Sequence, residues 1–209
     1  MLAWRNWFHC SGSTYGTWLR GDPRGWRARH HREHVNGDYK NPPPPGTYDG
    51  LHEHSKRLME RGEVFLEPLH RVTACRAMAQ TLLFHEIELI DLSVSAAHYH
   101  LLARFTPVGQ ERGPGIRIPG LPEDKRIDTY EILKRVARHY VGMAKKNSAR
   151  ALSDAGLVTA GGVWAARGSI KPIKDRRHQL NVARYIRGHG PEGAAVWSRI
   201  ADQDVGTAS

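Results

Sequence analysis

Two extended runs, Glu86–Val94 and Ala96–Phe105, stand with Ser95 alone between them, and this constrains the fold more than any other feature of the chain. So short a separation leaves room only for a tight reversal, which predicts an antiparallel hairpin at the centre of a sheet. Before it, Trp4–Trp18 is rich in aromatic, Thr and Ser residues and reads as a first strand, closed off by Gly21, Pro23 and Gly25. Leu51–Arg61 reads as a short helix, and Glu67–Phe84 as a longer one carrying Leu69, Val72, Met78 and Leu82 at helical spacing. After the loop signals Gly113-Pro114-Gly115 and Pro119-Gly120-Leu121-Pro122, Asp128 is placed to cap a helix with Leu133, Val136, Tyr140 and Met143 on one side. Gly161–Ile173 then reads as a fourth strand and Asp175–Gly188 as a last helix, stopped by Gly190-Pro191. The order β, α, β, β, α, β, α predicts an α+β fold, an antiparallel four-stranded sheet of ferredoxin-like type with helices on one face. One domain over residues 1–197 is expected, with a Pro/Arg/His-rich arm at 24–48 inserted after the first strand and a disordered tail at 198–209.

Charge narrows the choice of partner. The net charge is +10, and the segment Pro107–Gly190 carries that whole excess by itself. Concentration of this kind suits a polyanion such as a nucleic-acid backbone. The basic side of the helix that Asp128 is placed to cap, with Lys134, Arg135, Arg138, Lys145, Lys146 and Arg150, is the expected contact surface. Cys10 and Cys75 have no CxxC spacing, which leaves neither a disulfide framework nor a cysteine zinc site, and a reducing cytoplasm is expected. Neither a signal-peptide core nor an apolar run of about 20 residues is found, so no membrane partner is expected.

The chemistry-bearing residues sit on the second hairpin strand and the last helix. In His98-Tyr99-His100, period-two alternation puts both imidazoles on one face of the sheet, half of a metal site. Such a pair is a weak signal alone in a chain of 13 histidines. His52-Glu53-His54 falls in a helical stretch, where residues two apart diverge, and His30 and His34 lie in the arm without an obvious third ligand. On the last helix Tyr185 and His189 are four apart and project from the same side, which brings together a nucleophile and a ligand. Tyr140 is the rival tyrosine, although its helical neighbours suit a place in the core.

The segment Ile90–Leu102, with its histidine, bulky residue, histidine core, together with Trp164–Pro191, whose strand leads into a helix bearing Tyr185-Ile186, resembles the single-tyrosine (HUH-type) insertion-sequence transposases. The similarity is greatest to their repeat-associated branch. Thr14–Gly25 also resembles the first-strand segment of some transposase-like members, so the resemblance spans most of Trp7–Trp197. It implies that Tyr185 is the nucleophile on a C-terminal catalytic helix, that His98, His100 and His189 hold a divalent ion, Mg²⁺ or Mn²⁺, and that a 5′-phosphotyrosine is the intermediate. The implied partner is single-stranded, hairpin-bearing DNA, with a homodimer compatible and a nucleoid-associated place in the cytoplasm. One departure stands out: His189 occupies a position where the family carries asparagine or glutamine. Two other readings stay open, a binding-only single-strand module and a replication-initiator or relaxase type of nickase.

Overall fold

The computed structural model describes residues 4, 6–23, 44, 46–106, 129–158 and 162–200. Their elements run β1 (Trp7–Thr14), α1 (Asp49–Arg57), α2 (Pro68–Phe84), β2 (Glu88–Val94), β3 (His98–Arg104), α3 (Thr129–Asp154), β4 (Trp164–Pro172), α4 (Arg176–Gly188) and β5 (Ala195–Ser198). The expected hairpin is β2–β3, closed by a backbone bond from Ser95 N to His98 O at 2.8 Å, so its second strand starts at His98. The fold is α+β, and among the described residues the sheet has five antiparallel strands in the order β4-β1-β3-β2-β5. The expectation of four strands missed β5. A four-residue stretch holds too little alternation to announce itself, and pairing with β2 is what makes it a strand.

Alternation along β1 decides how the sheet is covered. Phe8 and Cys10 point to one side, where with Leu92, Leu101 and Ala103 they are buried under Met78 and Leu82 of α2 and Leu133 and Val136 of α3. Trp7 points to the other side and is buried with Leu102 and Ile173 beneath Val182, Ala183 and Ile186 of α4. Helices therefore occupy both faces, which corrects the expectation of one. Both the sheet's second face and α4 carry an apolar stripe, and packing them together removes both from water.

A register shift in β2 between Leu89 and Asp91 sets the side on which Asp91 lies. Strict alternation would send Asp91 to the same side as Leu89, into the α2/α3 core. The extra residue turns Ile90 and Asp91 both toward α4, opposite Leu102. There Asp91 accepts two hydrogen bonds from Arg187, at 2.9 and 3.1 Å, and fastens α4 to the sheet. At its other end α4 is capped by Asp175, whose carboxylate accepts from His178 N at 2.8 Å.

Most of the expected arm, 24–43 and 45, lies outside the described residues, as do Asp128, the loop 107–128 and the tail from 201 onward. Ser198 still pairs with Asp91, and Arg199 meets Glu88 at 3.2 Å, so the sheet's hold on the chain reaches into the segment expected to be a tail. Among the described residues no helix is long and apolar enough to cross a membrane.

Candidate functional site

His98 and His100 share the side of β3 that bears Leu102, and so face α4. His189 is the C-cap residue of α4, one turn beyond Tyr185. The sheet and the helix end thus bring three imidazoles together, with one potential ligand atom from each lying within 4.8 Å of the others. Three histidines so arranged could hold a metal ion. Tyr185 stands beside them, its Oη 3.4 Å from His100 Nε2 and its ring centroid 4.7 Å from that of His189.

The hydrogen bonds around the cluster decide which atoms face inward. His189 Nδ1 meets Glu192 Oε2 at 3.0 Å, while His189 Nε2 is buried and has no hydrogen-bond partner. A buried polar atom left without a partner is costly unless something binds it, and an imidazole nitrogen is a good donor to a transition metal. The donor set therefore fits a metal ion. His100 Nδ1 lies 3.1 Å from His9 Nε2, which leaves His100 Nε2 for the ion and for Tyr185. With Nε2 unprotonated, the neutral ring carries its proton on Nδ1 and donates it to His9.

His9, on β1, joins the cluster without having been announced by the sequence. The signal was its period-two place beside Trp7, but no local pattern ties β1 to β3 across 91 positions. Replacing it with Phe keeps a ring of similar size and removes the acceptor. Mn²⁺ affinity measured by calorimetry is expected to fall about 10–100-fold, with part of the loss recovered by His9→Gln. Unchanged affinity in His9→Phe would deny His9 this supporting role.

Electrostatics keep the cluster ready for a cation. Burial holds His100 well below the ordinary imidazole range, at about 3, with His9, His98, His189 and Lys171 adding repulsion. Burial, then Lys171 and His178, hold His9 at about 4, and burial followed by His189 lowers His98. Groups kept neutral in the folded state bind protons more readily once unfolded, so acid favours unfolding. Their contribution to stability is complete above the ordinary value of ~6.5 and is lost as pH falls through about 4 and about 3. Metal-free protein is therefore expected to melt at steadily lower temperature over that window. His100→Asn should flatten the trend, and an equal slope in both proteins would contradict it.

The remaining sequence candidates divide by face. Lys134, Arg135, Arg138, Lys145, Lys146 and Arg150 all lie on α3, across the sheet from the histidine cluster. Lys134 meets Glu131 at 3.4 Å and Arg150 meets Asp154 at 3.5 Å, while Lys145 donates to the carbonyls of Ala165 and Ala166. The structure does not bring this basic surface into contact with Tyr185. A cation on the site's own side is Lys171, paired in register with His9 on β1. Tyr140 is buried on the α3 side against His85 and is remote from the cluster. His52 and His54 ride on α1, which has no buried residue, and His30 and His34 lie outside the described residues. No family model, curated protein or solved structure matches this chain.

Proposed function

We propose that this protein is a metal-dependent tyrosine nuclease and strand transferase acting on single-stranded DNA, with Tyr185 as nucleophile. The observation that carries this reading is the convergence of a phenol on a three-imidazole centre with one buried, unpartnered nitrogen. The four strands β4-β1-β3-β2 follow the order of a ferredoxin-like sheet, with β5 as an addition, and this supports the resemblance on which the reading draws. His98, His100 and His189 would hold the ion. Three nitrogen donors suit Mn²⁺ or another transition ion better than Mg²⁺, which prefers oxygen ligands. When bound, the ion would supply Lewis acidity at a phosphate oxygen and favour the phenolate.

In the proposed reaction the Tyr185 oxygen forms a bond to phosphorus, the bond from phosphorus to the 3′ oxygen breaks, and the phenol proton is replaced by a proton gained on the released 3′-hydroxyl. The product is a 5′-phosphotyrosine. The exchange of one phosphoester for another conserves the bond, so attack by a second 3′-hydroxyl can rejoin the strand. Burial and the nearby Glu192 raise the Tyr185 phenol above its usual range, so without a cation it is a poor nucleophile. The reaction should therefore require a metal strictly.

The test is a denaturing gel of labelled hairpin-bearing single strands incubated with the protein and Mn²⁺ or Mg²⁺, beside chelator and His100→Ala. A covalent adduct is expected with metal and in neither control. Tight binding with no adduct under any metal would replace this reading by that of a single-strand binding module. An adduct on a hairpin end that is both cut and rejoined separates transposase-type chemistry from that of an origin nickase.

A further inference from the structure

We infer that the DNA strand engaged at Tyr185 rounds the outer edge of β4 and lodges a phosphate in a cleft on the opposite face of the sheet, between α3 and β4. This rests on Tyr185 being the nucleophile toward single-stranded DNA. The cleft has a volume of about 520 Å³, and Tyr99, Arg138, Gly142, Lys145, Gly168 and Ser169 are among the residues that line it.

Glycines stand on both walls. On β4, a Cβ at Gly168 would stand 2.5 Å from the Ser11 carbonyl oxygen, and on α3, Gly142 opens onto space with no heavy atom within 4 Å of a Cβ. The floor is the buried Tyr99 ring, which crosses Gly12 so closely that a Cβ there would lie 2.7 Å from it. Among the described residues two cations and no carboxylate line the cleft. The Lys145 ammonium has three donors, two of them taken by Ala165 and Ala166, which leaves one for a ligand, and Arg138 is exposed. This is a site for an anion.

Register places this anion site within reach of the same strand. Ser169 of β4 pairs with Ser11 of β1, which pairs with His100 of β3, so the cleft and the histidine pair lie on one rung of the sheet, on opposite faces. Two strand spacings, roughly 10 Å, separate that histidine from β4, and among the described residues β4 is the outermost strand on that side. Lys171, exposed on β4 next to His9, marks the route on the near face. A bound free phosphate would need no such route. The path also brings Arg138 and Lys145 into contact with a substrate whose scissile bond is on the far side of the sheet.

Fluorescence anisotropy on the whole chain tests this with single strands of about 4 and about 15 nucleotides, bracketing common single-strand site sizes. Gly142→Trp fills the cleft from open helix surface. It is expected to weaken binding of the long strand about tenfold and leave the short one unchanged. Arg138→Gln is expected to reduce the slope of log affinity against log salt by about 0.7 on the long strand, the signature of one lost phosphate contact. Wild-type affinity and slope in both variants would overturn the inference. Adduct formation by the wild type, measured alongside, separates the two failures. An adduct with unaffected variants removes only the wrapped path, whereas no adduct with weakened variants removes the tyrosine chemistry and leaves the cleft as a DNA site.

Discussion

Tyr185→Phe is expected to lower the rate of covalent adduct formation by at least about three orders of magnitude, with folding, Mn²⁺ affinity and DNA affinity close to wild type. The side chain is 50% exposed, and its ring packs edge-on against His100 and His189. Phenylalanine keeps those ring contacts and removes only the hydroxyl beside His100 Nε2. The profile differs from that of His100→Ala, which should lose metal and adduct together. Gel detection of the adduct, with calorimetry for Mn²⁺ and anisotropy for DNA, distinguishes the two variants. A persistent adduct in Tyr185→Phe would show that the nucleophile lies elsewhere. Tyr140 could not readily take its place, since it is buried against His85 on the other side of the sheet.

Arg187→Met is expected to cost about 3 kcal/mol of folding stability, the low end for a broken buried ion pair, because Arg187 keeps 40% of its side-chain surface in water. The loss is asymmetric between the partners. Asp91 is fully buried, so removing the arginine strands a carboxylate with no route to solvent, whereas in Asp91→Asn the guanidinium can rehydrate. Urea unfolding should therefore rank Arg187→Met well below Asp91→Asn. The double variant should be more stable than the sum of the two losses implies. Equal, small effects near ~0.5 kcal/mol would mean that the pair behaves as a surface contact. Arg187 sits midway between Tyr185 and His189, so loosening it should also weaken Mn²⁺ binding in the folded protein.

Both expectations trace back to residues that differ in how far a sequence can place them. The pairing of His98 with His100, and of Tyr185 with His189, comes from strand alternation and the pitch of a helix, both local and both present in the structure. The hairpin Glu88–Arg104 was legible for the same reason. His9 and Asp91 were not. His9 meets His100 through strand pairing across 91 positions, and Asp91 reaches Arg187 because one extra residue in β2 reverses the side on which alternation would put it.

What the sequence by itself determined is the local set: which residues form the first four strands and the helices, and which reactive side chains share a side of each. Only the tertiary structure decided that α4 crosses to the face opposite α3, that His189 meets the β3 histidines, and that the basic helix stands behind the sheet. Side-chain direction is a property of a few consecutive dihedrals, which neighbouring residues specify. The choice of face is made by burial of apolar stripes far apart in the chain, Trp7 and Leu102 against Val182 and Ile186, and exists only once they are packed.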